Sequence, residues 1–194
     1  MANSILVVMA LEAEEQGRFR QLGVEPLFTG VGKVNAAYRL TRRLAEERAR
    51  GRSPLVVNFG TAGSRQHTRG SVVACRRFVQ RDMAVAELGF PQGKTPFEDV
   101  PQELEFREVF SSLPHALCAT ADRFETVDHA AEWPLVDMEA YALAKVCWFE
   151  GLTFACAKYV SDGADSSSKN DWEASLPLAA SRFSALYENL RAAR

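Results

Sequence analysis

The sequence has little of what would tie a protein to a metal, a nucleic acid or a charged membrane surface. Its 194 residues include 3 histidines and 4 cysteines, with neither a CxxC pair nor an HExxH motif. Lysine and arginine total 23 against 25 aspartates and glutamates, so the net charge is −2. This balance gives no general attraction for nucleic acid or anionic lipid. We therefore expect no metal and no nucleic-acid partner.

Long hydrophobic runs are absent as well. The apolar run Ile5–Leu11 is too short to span a membrane, and it leads into Glu12 without a basic residue before it. The cysteines lie in apolar surroundings, which is typical of free thiols in a reducing compartment. We expect a cytoplasmic protein with no membrane-spanning segment.

No segment rich in proline, glycine and serine divides the chain, so we expect one domain over residues 1–194. Continuous apolar runs predict buried strands at 4–11, 54–64 and 152–165. A further strand with one wetter face is expected within 70–83. These strands alternate with helical stretches, which predicts an α/β protein with a mainly parallel or mixed sheet between helices.

Three stretches have the apolar periodicity of helices, at 34–51, 135–151 and 175–194. Residues 87–107, rich in proline, glycine and glutamate, are expected to form a long loop. The faces that we expect to be buried are Val34, Ala37, Tyr38, Leu40 and Leu44 on the first helix, and Leu178, Phe183, Leu186 and Leu190 on the last.

Small and polar residues follow several predicted strands. In α/β sheets ligands bind beyond the carboxyl ends of the strands. This places Glu12 and the turns at 29–33 (TGVGK), 58–64 (NFGTAGS) and 161–165 (SDGAD) on one rim. The GVGK turn lacks the spacing of a phosphate loop, and Asn35 stands where a dinucleotide-binding motif needs glycine.

Carboxylates are the remaining candidates for chemistry on this rim. They are Glu12, Asp162 and Asp165 at strand ends, joined by Glu139 in VDMEA. Each alone also fits a cap or turn residue. Glu139 lies among apolar and small residues, where a carboxylate is costly unless it is hydrogen-bonded to a partner or a ligand. The hydroxyl pair of a sugar would supply suitable donors.

Five segments together resemble a known family. MALEAEE, TGVGKVNAA, NFGTAGS, VDMEAYALAKVC and KYVSDGAD, in this order and spacing, resemble the purine nucleoside phosphorylase/nucleosidase superfamily. They are most similar to the methylthioadenosine/S-adenosylhomocysteine nucleosidases. The resemblance implies a three-layer α/β/α fold around a twisted mixed sheet, a homodimer, a small-molecule purine nucleoside as substrate, and no metal or organic cofactor.

The resemblance also implies catalytic roles. Asp162 would protonate N7 of the purine, with Ser161 orienting it, and Glu12 would position the attacking water. Glu139 would hold the ribose 2′ and 3′ hydroxyls, and Met138 would pack on the sugar. The chemistry agrees, because a purine anion leaves poorly and a positioned acid contributes typically about 10²–10⁴ in rate.

The remaining implied contacts line a pocket. Phe124 and Trp172 would stack on the base, Val31 would lie beyond the 5′ position, and Thr61 and Ala62 would form the floor beside the sugar. Lys158 would be a further substrate contact.

Two departures from the family lie at charged positions, and both keep the sign of the charge. Lys158 stands where the nucleosidases carry arginine, and so keeps the charge without the bidentate fork. Asp137 replaces glutamate before Met138, so the identity of the 5′ substituent stays open.

Hydrolysis is the reaction that the residues favour. The phosphorylases hold phosphate with arginines, one of them at the position of Asn58, and the negative charge of Glu12 would oppose phosphate. Two alternatives remain open, a phosphate-dependent purine nucleoside phosphorylase and a non-catalytic nucleoside-binding protein.

Overall fold

The computed structural model describes residues 4–125, 132–164 and 168–193, apart from the side chains of residues 168 and 169. Two residues considered in the sequence lie outside the described residues: His129, one of the three histidines, and Asp165. Twelve helices and strands, besides short 3₁₀ turns, make up the described part of the chain. The strands are β1 Ile5–Met9, β2 Leu27–Phe28, β3 Leu55–Gly63, β4 Val72–Gln80, β5 Glu103–Glu105, β6 His115–Thr120, β7 Leu135–Asp137 and β8 Phe154–Asp162. The helices are α1 Arg18–Gln21, α2 Lys33–Ala49, α3 Ala140–Phe149 and α4 Ser168–Ala192.

The strands form one mixed sheet. β1 pairs in parallel with β2 and β3, and β3 pairs in parallel with β8 over most of its length. β8 is antiparallel to β4, β4 is parallel to β6, β6 is parallel to β7, and β7 returns to the end of β3. These five strands, β3, β8, β4, β6 and β7, therefore close a circuit. Since β3 and β8 are buried on both faces, they read as continuous apolar runs in the sequence.

Helices cover both faces of the sheet, as a three-layer fold requires. On one face α2 and α3 bury side chains such as Leu40 and Leu143 against the strands. On the other face Phe19 of α1 and Phe183 of α4 pack around Phe59 of β3. The predicted α/β/α fold with a central mixed sheet is therefore confirmed. All four cysteines are buried free thiols.

Three details of the helices differ from the prediction. The stretch 135–151 begins as strand β7, whose three buried residues pair with β6, and helix α3 follows only from Ala140. Val34 and Tyr38 of α2 are 79% and 58% exposed, so only part of the predicted apolar face is buried. Leu178 of α4 is 50% exposed. The buried face of that helix is formed by Leu176, Ala179, Ala180, Phe183 and Tyr187.

Small residues explain the face of α4. Alanines at positions 179 and 180 let the helix approach the sheet closely, and the larger side chains at 176, 183 and 187 fill the space on either side.

The segment 87–107 is mostly loop, as predicted, but it also contains a 3₁₀ turn and the edge strand β5. In the described part of the chain no helix combines the length and the apolarity that a membrane span needs.

Candidate active site

One cavity of about 210 Å³ lies at the rim where β1, β3, β6, β7 and β8 end. The strand order places segments distant in sequence around it, because the ends of neighbouring strands meet at one edge of the sheet. Nine of the eleven site residues predicted from the sequence line this cavity. They are Val31, Thr61, Ala62, Phe124, Met138, Glu139, Ser161, Asp162 and Trp172.

Glu12 is not among the lining residues, and this corrects its placement. It begins the 3₁₀ turn after β1, its side chain is 62% exposed, and it forms an ion pair with Arg20 on the surface. The carboxylate that reaches the cavity from this turn is Glu14, which is 3% exposed. The structure therefore places Glu14, two residues later, where the sequence analysis expected Glu12.

Glu14 is held by four donors. Its Oε2 accepts the peptide N–H groups of Ala10 and Leu11, both at 3.1 Å. Its Oε1 accepts the N–H of Thr61 at 3.1 Å and the hydroxyl of Thr61 at 3.2 Å. The indole N–H of Trp172 donates to the same hydroxyl oxygen at 2.9 Å. This network joins β1, β3 and α4 around one buried carboxylate.

The sequence contained a signal for Glu14. A glutamate three residues after the residue that starts a helical turn can reach back to the N–H of that starting residue. Glu14 stands in this relation to Leu11, whereas Glu12 at the first position of the turn points outward.

Asp162 ends strand β8 with both carboxylate oxygens oriented. The Ser161 hydroxyl donates to Oδ2 at 2.7 Å, and the N–H of Ala164 donates to Oδ1 at 2.9 Å. Gly63 makes room for this carboxylate, because a Cβ at that position would lie 2.8 Å from Oδ1. Asp162 is 4% exposed and lines the cavity.

Glu139 is the N-cap residue of α3, and its carboxylate crosses to the turn before α2. Its Oε1 accepts the N–H of Gly32 at 2.8 Å, and Oε2 accepts no hydrogen bond from the described residues. Burial raises the pKa of Glu139 to about 8, and the neighbouring Asp137 carboxylate adds to this effect. Lys158 and the Gly32 N–H oppose the shift without cancelling it.

Lys158 is the second predicted site residue that does not line the cavity. Its ammonium is buried and lies 2.9 Å from Oδ2 of Asp137. Asp137 also accepts the Thr120 hydroxyl at 2.6 Å and the N–H of Ala140 at 2.8 Å. Burial would raise the pKa of Asp137, but Lys158 and the hydrogen bonds hold it below its ordinary value. The two family departures found in the sequence are thus partners of each other: Asp137 lines the cavity, and Lys158 lies behind it.

A charged cluster at the cavity wall was not predicted from the sequence. Arg81, just after β4, contacts Glu125 at 2.7 Å, and Arg123 contacts the same carboxylate oxygen at 2.8 Å. Arg81 and Glu125 are each 5% exposed and, like Phe124, line the cavity. Nη2 of Arg81 and Oε2 of Glu125 are sealed from solvent without a partner in the described part of the structure. The sequence signal for this cluster was the presence of charged residues in the loops that follow β4 and β6.

Within the described ranges, no group of three or more histidine, cysteine or acidic side chains is arranged to hold a metal ion. Asn58, the position at which the phosphorylases carry an arginine, is buried in β3. Its amide donates to the carbonyls of Val8 and Phe59 at 3.1 and 3.3 Å. The Asn58 side chain is therefore hydrogen-bonded to main-chain groups within the core.

The fold and the site together define a class, an α/β protein with an acid-lined cavity at the edge of a mixed sheet. A family model described as the phosphorylase superfamily matches residues 23–192. This chain therefore belongs to the phosphorylase superfamily, and the resemblance seen in the sequence is confirmed.

Other proteins are similar to this chain in sequence, and solved structures are similar to it in fold. The chain is 29% identical over 192 residues to the 5′-methylthioadenosine/S-adenosylhomocysteine nucleosidase of Haemophilus influenzae (strain PittEE), covering 88% of this chain and 82% of that protein. The structure of the Helicobacter pylori nucleosidase of the same name matches with a TM-score of 0.85 at 18% identity, covering 99% of each chain. The Helicobacter pylori futalosine hydrolase matches with a TM-score of 0.86 at 19% identity, covering 100% of this chain and 99% of that one.

The raised pKa of Glu139 predicts a pH dependence of stability. Between its ordinary pKa of 4.5 and about 8, folded Glu139 holds a proton that the unfolded chain has released. The free energy of unfolding therefore falls as pH rises through this window, by up to about 1.4 kcal/mol per pH unit. Glu139→Gln removes this contribution, so wild type should lose stability relative to the variant from pH 5 to 8. Urea denaturation at several pH values measures it.

Glu12→Gln is the control for that experiment, because Glu12 is an exposed acid on the same rim. Its stability curve should run parallel to that of wild type. Parallel curves for wild type and Glu139→Gln would contradict the assignment of a buried, protonated Glu139.

Proposed function

We propose that this protein hydrolyses the N-glycosidic bond of a purine nucleoside of the methylthioadenosine/S-adenosylhomocysteine type, releasing free base and sugar. The observation that carries the proposal is the convergence of three acidic side chains, Glu14, Glu139 and Asp162, on one cavity. The name of the Haemophilus influenzae relative supports the substrate class. Splitting acid and base roles between carboxylates is the usual way to break a glycosidic bond.

Asp162 is proposed as the acid that protonates N7 of the departing purine. Ser161 and the N–H of Ala164 fix the orientation of its carboxyl group, so a proton on it has a defined direction. Protonation as the C–N bond breaks avoids the release of a purine anion. The rate gain expected from such an acid is about 10²–10⁴.

Glu139 is proposed to bind the ribose 2′ and 3′ hydroxyls through its second oxygen, with Met138 packed on the sugar. Because Glu139 holds a proton at neutral pH, its carboxyl group can donate a hydrogen bond to one of these hydroxyls and accept one from the other.

Glu14 is proposed to position the attacking water, the role that the sequence analysis gave to Glu12. Four donors hold its carboxylate at the cavity wall, so its remaining lone pairs have fixed directions. The surrounding acids also favour water over phosphate as the nucleophile, because a buried carboxylate repels a phosphate anion. Hydrolysis is therefore preferred to phosphorolysis.

The remaining lining residues fit the parts of a nucleoside. Phe124 and Trp172 are proposed to stack on the base, Thr61 and Ala62 to form the floor beside the sugar, and Val31 to line the 5′ end. The hydrogen bond from the Trp172 indole to Thr61 fixes one ring edge, which leaves a ring face for an aromatic base.

We further propose a homodimer in the cytoplasm, acting in nucleoside catabolism and methionine salvage. The free thiols support a reducing location. Val31 and Phe124 line the cavity yet are 43% and 45% exposed, and Val34 and Tyr38 extend this apolar surface along α2. A second copy of the chain on this surface would cover the cavity mouth and bury the four side chains.

Two matched substitutions test the water-positioning role. Glu14→Gln should lower kcat by at least about 100-fold with methylthioadenosine, because the amide cannot orient water as a carboxylate does. Glu12→Gln should stay within about 3-fold of wild type, since Glu12 is on the surface. Base release is followed by ultraviolet absorbance, with circular dichroism and nucleoside titration calorimetry to confirm folding and binding. A larger loss in Glu12→Gln than in Glu14→Gln would contradict the assignment.

The homodimer is tested by a charge on the α2 surface. Val34→Glu should convert a dimer into a monomer, because the carboxylate would be buried without a partner at the interface. Leu88→Glu places the same charge at another exposed apolar side chain, 62% exposed, and should leave the dimer intact. Light scattering after gel filtration gives the mass. A monomeric wild type, or a dimer unaffected by Val34→Glu, would refute this surface as the interface.

A further inference from the structure

The first turn of α2 is capped by side chains from distant parts of the chain. The N-cap residue, Gly32, has no side chain with which to accept the free N–H groups of the turn. The N–H of Gly32 instead donates to Glu139 at 2.8 Å, and the N–H of Lys33 donates to Asp122 at 2.8 Å. Two acids therefore meet the positive end of a 17-residue helix.

Lys33 joins these acids to a third. Its ammonium lies 2.5 Å from Oδ1 of Asp82 and 3.7 Å from Oδ2 of Asp122. The N–H of Asp122 closes the cluster by donating to Oδ2 of Asp82 at 3.0 Å. Although burial opposes the ionised form of Asp82, the Lys33 and Asp122 hydrogen bonds hold its pKa below its ordinary value. We refer to Lys33, Asp82 and Asp122 as the Lys33 cluster.

The cluster connects three loops that carry cavity residues. Asp122 is two residues before Phe124, and Gly32 directly follows Val31. The two segments that carry these cavity-lining residues are therefore held by the same cluster. Gly32 itself has a φ of +93°, and a Cβ there would lie 3.1 Å from Oδ1 of Asp122. The close approach of the α2 turn to the Asp122 loop thus depends on both the glycine and the ion pairs.

We propose that Lys33, Asp82 and Asp122 are positioning residues for the reaction, which hold the Gly32 N–H against Glu139 and thereby fix the carboxylate that binds the sugar hydroxyls. The inference rests on the proposed function of Glu139. It adds three residues outside the cavity lining whose effect passes through a single hydrogen bond. Without the lysine, Asp82 and Asp122 repel each other and the α2 turn moves away from Glu139.

The test compares Lys33→Met with Arg39→Met, which removes a cation from the exposed face of the same helix. Lys33→Met should lower kcat/KM for methylthioadenosine by about 10- to 100-fold, since small misplacements of a reacting group have effects of this order. Arg39→Met should be close to wild type, and Lys33→Arg should restore a large part of the activity because it keeps the cation.

A second substrate separates positioning from general destabilisation. A 2′,3′-dideoxynucleoside lacks the hydroxyls that Glu139 would bind, so Lys33→Met and wild type should turn it over at similar, low rates. Likewise, Lys33→Met should have little further effect in the Glu139→Gln background. An equal loss on both substrates, or an additive loss in the double variant, would overturn the positioning role.

A binding measurement keeps this result distinct from failure of the proposed function. If wild type binds adenosine but releases no base from methylthioadenosine, S-adenosylhomocysteine, adenosine or inosine, hydrolysis is refuted, and the cluster is judged by calorimetry alone. Lys33→Met should then weaken adenosine binding about 10-fold and leave 2′,3′-dideoxyadenosine binding unchanged. Equal effects on the two ligands would refute the cluster's role independently.

Discussion

Buried carboxylates at the edge of a sheet must be matched by donors, and this requirement shapes most of the site. A carboxylate removed from water is costly unless hydrogen bonds or opposite charges replace its hydration. Here Glu14 takes four donors, Asp162 takes two, and Asp137 takes a buried lysine, a hydroxyl and two N–H groups. Most of these donors are main-chain N–H groups at strand ends, at helix starts and in turns.

Glu139 is the exception that gives the site its chemical asymmetry. Burial and the anionic neighbour Asp137 raise its pKa, and its single N–H donor does not cancel them, whereas the pKa of Asp137 is lowered. Pairs of acids whose environments separate their pKa values are a common feature of sites that transfer protons or bind hydroxyls. The Lys158–Asp137 pair contributes by keeping one acid of the cavity lining ionised. Lys158 therefore supports the site from below instead of contacting its contents.

Much of the fold follows from local sequence pattern. The apolar runs of β1, β3 and β8 and the periodicity of α2 are set by residues within each element, so one sequence is enough to find them. Asp162 and Glu139 could be selected because a charge beside apolar residues is conspicuous. Leu178 and strand β7 were misjudged because burial there depends on which neighbours the sheet supplies, and periodicity carries no such information.

The errors at the site have the same origin. Choosing Glu12 over Glu14 required knowing which way a single 3₁₀ turn faces, and Arg20 settles that by pairing with Glu12 on the surface. The Arg81–Glu125 pair joins residues 44 positions apart in sequence, across loops after β4 and β6. The Lys33 cluster likewise brings together three loops. Contacts of this kind are created by the topology of the fold, and no local pattern in the sequence encodes them.

The most direct test of the account is product analysis of the purified protein with methylthioadenosine, with and without phosphate. The account predicts free adenine and free methylthioribose at the same rate in both conditions, and at least about 100-fold slower release by Asp162→Asn. Adenine release that requires phosphate and yields a sugar 1-phosphate would contradict hydrolysis. Release of no base from methylthioadenosine, S-adenosylhomocysteine, adenosine or inosine would contradict the whole assignment.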